Sequence, residues 1–234
     1  MTTTMNNLVR TLAYFLASFL QLWSQGVKEE PIDFSLWSGI KVVKEVNASI
    51  DIYGKLEYRQ RENLLLPRNY FFQTGIKYTP INGLDLSFAY RWDERYRLKQ
   101  ETFFTNHRFQ FAAELYKRWG RFKLTLRNQF QVRHSTRGND KYPWRMFQRE
   151  RLMLTYNWPD LPLKTNGFVE CWFPINVNRG TFVSKVRFGI TQDIQIGENH
   201  ELTVGGYLNL DQRPDVNRDE FALLIRYTLR LPNH

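Results

Sequence analysis

Leu84-Asp85-Leu86-Ser87-Phe88-Ala89-Tyr90-Arg91-Trp92-Asp93 alternates apolar and polar residues for ten positions. Leu84, Leu86, Phe88, Tyr90 and Trp92 fall on one side, and Asp85, Ser87, Ala89, Arg91 and Asp93 on the other. Successive side chains of a β-strand point to opposite faces, so this stretch is a strand with one greasy wall and one wet wall.

The same period of two recurs on both sides of it. Ile50, Ile52, Leu56 and Tyr58 alternate with Asp51, Tyr53, Lys55, Glu57 and Arg59. Phe109, Phe111, Ala113 and Leu115 alternate with Arg108, Gln110, Ala112, Glu114 and Tyr116, and Leu124, Leu126, Phe130 and Val132 with Lys123, Thr125, Arg127, Gln129, Gln131 and Arg133. Near the end of the chain Phe221, Leu223, Ile225, Tyr227, Leu229 and Leu231 oppose Ala222, Leu224, Arg226, Thr228 and Arg230. The pattern predicts about eleven strands, at 34–46, 49–61, 70–79, 83–93, 103–117, 121–133, 146–158, 163–173, 182–194, 200–211 and 218–231.

Their connections alternate in length. Tight turns fall at 47–48, 80–82, 118–120, 159–162 and 197–199, and longer polar links at 62–69, 94–102, 134–145, 174–181 and 212–217. Short turns on one rim and long loops on the other are the pattern of outer-membrane barrels. Such barrels carry even numbers of strands when bacterial and single-chain. Eleven strands therefore leave three possibilities open: that 27–33 runs back through the lumen, that it adds a twelfth strand, or that the number is ten.

Composition narrows the class. The chain has 234 residues, 24% of them charged and 16% aromatic. No run approaches the roughly 20 apolar residues of a spanning helix, which excludes a helical membrane protein but not a barrel. The first 26 residues differ in kind. Arg10 precedes the apolar stretch from Thr11 to Trp23, and Ser24, Gln25 and Gly26 follow it. A basic start, a short apolar core and a small-residue exit predict a secretory signal peptide over 1–26, cleaved between Ser24 and Val27, with the barrel in 27–234. Loss of Arg10 would lower the net charge from +10 to +9. The single cysteine, Cys171, excludes an intrachain disulfide.

Alternation alone also suits a soluble sandwich. Three features favour an all-β, single antiparallel transmembrane β-barrel, a meander of about 10–12 strands (from the period count above) preceded by a signal peptide. Several strands exceed the usual soluble length of about 5–6 residues. Trp92, Tyr58, Tyr78, Tyr156, Trp158 and Tyr227 lie toward strand ends on the apolar side, where they would mark membrane interfaces. The export signal is the third. The clearer strands carry no charge in the middle of the apolar face, and the aromatics are assigned to the lipid wall.

Asp33-Phe34-Ser35-Leu36-Trp37-Ser38-Gly39, Ala89-Tyr90-Arg91, Asn106-His107-Arg108-Phe109 and Asn199-His200-Glu201-Leu202 resemble the outer-membrane barrel family filed as domain of unknown function 2490. The resemblance implies a barrel over nearly all of the exported chain and carries no catalytic residue.

On the wet side Glu57, Arg59, Arg91, Arg108, Glu114, Arg127, Arg151, Glu170, Arg187, Glu201, Arg226 and Arg230 are expected to face the lumen, with Arg61 and Arg133 among them. Paired, they would form a structural charge network in an occluded, loop-presenting barrel. Because Arg and Lys outnumber carboxylates there, a narrow anion-preferring channel is the alternative. A lipid-modifying outer-membrane hydrolase is the third, with His134 and Ser135 as its nominees; otherwise no enzyme is expected. His107, His134, His200, His234 and Cys171 show no metal-ligand spacing, so neither metal nor cofactor is expected. Nucleic acid is set aside because the basic residues alternate with apolar ones along strands. The expected partners are the barrel-assembly machinery, outer-membrane lipid, and lipopolysaccharide drawn to Arg95, Arg97, Lys99, Arg137, Lys141 and Arg145. The expected location is a bacterial outer membrane; the oligomeric state stays open.

Overall fold

The computed structural model describes residues 32–97, 101–136, 143–176, 182–212 and 219–232. The expected leader at 1–26 and the segment 27–31 lie outside them.

Eleven strands run in chain order: β1 (Asp33–Asn47), β2 (Ile50–Arg61), β3 (Leu66–Ile81), β4 (Leu84–Arg97), β5 (Thr102–Trp119), β6 (Phe122–Ser135), β7 (Trp144–Asn157), β8 (Leu163–Pro174), β9 (Lys185–Gln195), β10 (His200–Asp211) and β11 (Glu220–Leu231). Each pairs with the next, and β11 returns to β1 to close a barrel. The ten sequential pairs are antiparallel; the closing pair is parallel, with Asp33 opposite Glu220 and Lys44 opposite Leu231. The meander and the count of eleven match the period of two in the sequence. The expectation of even parity is corrected. An odd number of up-and-down strands leaves the first and last pointing the same way, and a parallel seam closes them without a twelfth.

The strand ends also need correction at two links expected to be long. The connection after β2 is only 62–65, where Glu62, Asn63 and Leu64 adopt positive φ of 52°, 55° and 72°. Asn63 turns it back onto β1: its backbone N–H donates to Asp33 Oδ1 at 3.3 Å and its Oδ1 accepts from Phe34 N–H at 3.3 Å. Likewise β4 and β5 pair out to Arg97 opposite Thr102, shortening that link to 98–101. The three longer links are 136–143, 175–184 and 212–219, on the same rim.

Outward positions bear the exposed hydrophobics, among them Leu56, Phe111, Leu115 and Leu126 at 58%, 54%, 56% and 48% exposure. A soluble fold would bury such a row; a barrel in hydrocarbon would turn it to lipid. Aromatics border the band at both rims, with Tyr156 edge-on to Trp158 at one and Tyr70 edge-on to Trp92 at the other. One outward position breaks the rule. Glu150 sits mid-strand on the outer wall, where the alternation in the clearer strands had suggested no charge.

Inside, the wall makes room for large side chains at Gly189, where a Cβ would collide with the Phe168 ring at 2.3 Å and with Tyr207 at 2.7 Å. At Gly205 a Cβ would come within 2.3 Å of the backbone oxygen of Ile190 on the neighbouring strand. Trp37, Tyr207, Ala222 and Leu224 pack together beside the closing seam. This corrects the assignment of the aromatics to the lipid wall, beyond Tyr53 and Tyr116, which alternation already put on the wet side. Trp37, Phe71, Phe168, Trp172 and Tyr207 point inward, where guanidinium groups lie over their rings.

Candidate functional site

The interior is built on carboxylates, each ringed by cations. Glu170 of β8, 2% exposed, bonds Arg127 Nη2, Arg149 Nη2 at 2.9 Å and Arg187 Nη1 at 3.5 Å. The register explains the convergence. Arg127 of β6 lies opposite Arg151 of β7, which lies opposite Glu170, and Glu170 lies opposite Arg187 of β9, so all four sit in one row across four strands. Glu57 of β2 gathers Lys55 at 2.6 Å, Arg59 at 2.6 Å and, across the seam, Arg226 of β11 at 3.0 Å. Asp93 takes Arg95 at 2.8 Å, Arg108 at 3.7 Å and the Asn69 amide at 2.5 Å. Glu220 pairs with Arg68 and accepts from Asn209 at 3.1 Å.

Of the residues expected in the lumen network, Arg59, Arg91, Arg108, Arg127, Arg133, Arg151, Glu170, Arg187 and Arg226 line one interior cavity and Glu114 and Arg230 another, while Arg61 donates to Tyr96 O at 3.1 Å. Glu114 joins it weakly, 3.9 Å from Arg127 and 3.6 Å from Arg151, and Glu201 meets Arg230 at 3.7 Å near the short-turn rim. Arg91 has no carboxylate within ion-pair reach among the described residues; its Nε and Nη2 donate to Gln73 Oε1 at 2.9 and 2.6 Å, and it lies 3.8 Å above the Phe71 ring. Sequence reasoning left Glu220, Arg68 and Arg149 out of the network, and placed Asp93 on the wet face without counting it as a member. Arg149 carries the same inward parity as Arg151, so alternation could have found it. Glu220 and Arg68 lie at strand starts that the sequence pattern misplaces, and only the parallel seam makes them inward partners.

These groups surround a cavity of 480 Å³ toward the long-loop rim and a second of 360 Å³ toward the short-turn rim. Both are bounded by the same ring of Lys55, Gln73, Gln110, Arg127, Gln129 and Arg226, so they lie end to end along the axis. Fourteen Arg and Lys side chains line the larger one, against two carboxylates, Glu170 and Asp211. Adding Glu57, Asp93, Glu114 and Glu220, ion-paired to those cations from the wall, still leaves eight positive charges in excess. The buried Nε–H groups of Arg108, Arg133, Arg149 and Arg151 find no acceptor among the described residues. Buried polar groups are almost always hydrogen-bonded, so the acceptors for these donors lie outside the described residues.

Of the basic residues expected to meet lipopolysaccharide, Arg95 and Arg145 are strand residues lining the larger cavity. Arg97 ends β4 and lies 4.4 Å over the Phe104 ring. Lys99, Arg137 and Lys141 lie outside the described residues. His134 and Ser135 are consecutive on β6, and strand parity sends His134 outward against Trp144, at 4.4 Å between rings, while Ser135 is buried on the other face. Those two side chains cannot form a nucleophile–base pair. His107 is also outward, with its Nδ1 2.7 Å from Tyr90 Oη. No group of three potential metal-binding side chains occurs among the described residues.

Fold and interior together define a closed β-barrel with an apolar exterior and a cationic, carboxylate-noded lumen. The chain belongs to the family described as protein of unknown function DUF2490, whose model matches residues 34–220. No curated protein matches it. Among solved structures it is similar to the β domain of the Bordetella autotransporter Brka, at 8% identity and a TM-score of 0.47 over 76% of this chain and 82% of that one.

Proposed function

We propose that this protein is an outer-membrane barrel whose lumen binds small anions and passes them along the axis. The carrying observation is the excess of eight positive charges around the larger cavity among the described residues. Uncompensated charges in a confined, low-dielectric space draw counter-ions of opposite sign, and rings of Arg and Lys line anion pores. The membrane setting rests on the exposed apolar band with aromatic borders and on strands of 11 to 18 residues, beyond the roughly 9–11 that a tilted strand needs to cross a bilayer.

The carboxylate nodes have a second role in this account. Glu57, Asp93 and Glu170 fix the guanidinium groups around them, leaving Arg91 and Arg133, which have no carboxylate partner among the described residues, to carry the attraction for mobile anions. That division favours the channel over a purely structural network.

Vesicles loaded with potassium phosphate and containing the refolded barrel test this. Phosphate should leave faster than potassium can follow, so that efflux accelerates when valinomycin carries the potassium. Arg133→Gln should slow phosphate efflux by about tenfold, on the scale of one lost buried charge contact. Efflux no faster than from empty vesicles, with the barrel inserted, would contradict the proposal.

A further inference from the structure

The outer wall holds a feature that the lumen does not use. Asn128 of β6 and Gln148 and Glu150 of β7 project outward as one hydrogen-bonded cluster. Asn128 Nδ2 donates to Glu150 Oε1 at 2.6 Å, and Gln148 Nε2 donates to Asn128 Oδ1 at 2.6 Å and to Glu150 Oε1 at 3.0 Å. Glu150 is six residues from Trp144 and six from Tyr156, at opposite ends of β7. Asn128 is likewise six from Phe122 and six from His134 on β6. The cluster therefore lies midway between the two aromatic borders, about 20 Å along the strand from each. With the barrel embedded, this is the centre of the hydrocarbon, where an ionisable side chain is costly and is retained where it has a partner.

The cluster leaves capacity unused. Both donors go to Glu150 Oε1, while Glu150 Oε2 and Gln148 Oε1 accept from no described residue. One N–H of the Asn128 amide also remains available, because its NH₂ has two and only one is donated, whereas Gln148 donates both of its own. A surface with spare donors and spare acceptors side by side complements itself when turned through a two-fold axis. A protonated Glu150 on one copy and an ionised one on the other would share that proton across the axis.

The surroundings permit close approach. Asn128 faces Ala113 on β5, and Glu150 faces Cys171 on β8, so small side chains flank the cluster. On the β5 side an apolar groove of 500 Å³ opens over Ala113, between Phe88, Phe111 and Tyr78, with Asn128 on its edge. On the other side Leu152, Leu154 and Phe188 stand out at 46%, 43% and 47% exposure. A two-fold axis through the cluster sets the ridge of one copy over the groove of the other.

We propose that this patch is where a second copy of the chain packs in the membrane, joined by the Asn128–Gln148–Glu150 clusters across a two-fold axis. The inference rests on membrane embedding and is independent of what the lumen passes.

Sedimentation equilibrium of the refolded chain in density-matched detergent tests it, with folding checked separately by faster migration of the unheated sample on an SDS gel. The folded wild type should sediment as a dimer. Glu150→Gln should keep the dimer, since an amide still donates and accepts. Glu150→Leu should weaken association by about tenfold or more, the scale of a lost hydrogen-bonded contact. The proposal would be overturned by a folded wild type that stays monomeric at all concentrations or pairs only with a different polypeptide. Dimerisation of the Glu150→Leu variant as tight as that of the wild type would overturn it equally. If Glu150→Leu does not fold, Cys171 decides within the wild type. It lies one strand spacing from Glu150, so the two thiols of a dimer would be on the order of 10 Å apart. A membrane-permeant bifunctional thiol reagent should then give a covalent dimer, absent in Cys171→Ser; complete thiol modification without a dimer would contradict the interface.

Discussion

Replacing Glu170 by alanine should lower the stability of the refolded barrel by about 3–5 kcal/mol, the cost of breaking a buried ion pair from one side. The carboxylate is 2% exposed and is the shared anchor of Arg127, Arg149 and Arg187. Without it three guanidinium groups face one another across four strands with only Glu114, 3.9 Å from Arg127, as counter-charge, in a cavity that already holds cations in excess. Glu201→Ala supplies the contrast. Its partner Arg230 lies 3.7 Å away with a side chain 42% exposed, so water takes over most of the lost contact and the cost should stay within about 1 kcal/mol. Urea midpoints of the two variants in lipid vesicles, read by tryptophan fluorescence, separate the cases. Equal small losses would mean that Glu170 is solvated and not a node of the interior.

Trp37→Ala should cost about 3–5 kcal/mol by cavity formation alone, and the damage should be local. Trp37 is 2% exposed, meets Tyr207 edge-on at 5.2 Å between rings and carries the Arg59 guanidinium at 3.8 Å and that of Arg187 at 4.9 Å. It stands on β1, one partner of the parallel seam, and parallel ladders are slightly less stable per residue than antiparallel ones. Losing the indole therefore loosens the weakest seam first. Hydrogen exchange of the folded variant should show amides of β1 and β11 losing protection while β5 and β6 keep theirs. A uniform loss around the barrel would show that the seam is no weaker than the other ladders.

Much of this architecture was legible in the alternation itself. A strand such as 84–93 declares both its faces, because a one-residue slip would exchange lipid wall for lumen. The inward parity of Arg108, Arg127 and Glu170 followed from the same argument. What alternation cannot carry is the partner across the barrel. That Arg226 reaches Glu57, 169 residues earlier, depends on the β1–β11 seam, and nothing local in either strand encodes it. The inward aromatics escaped for a related reason. Trp37 and Phe71 look like wall residues until the cations that stack on them are placed opposite. Glu150 escaped because its strand reads Gln148-Arg149-Glu150-Arg151, polar on both faces, which leaves no contrast by which to see that one of its charges points outward.

The most direct test of the proposal that a cationic lumen passes anions is the reversal potential of the refolded barrel, residues 27–234, in a planar bilayer under a potassium chloride gradient. Discrete current steps should reverse at a potential of the sign set by chloride, shifting toward zero in Arg91→Gln and Arg133→Gln. Steps that reverse at the potassium potential, or a silent bilayer with insertion verified, would contradict it.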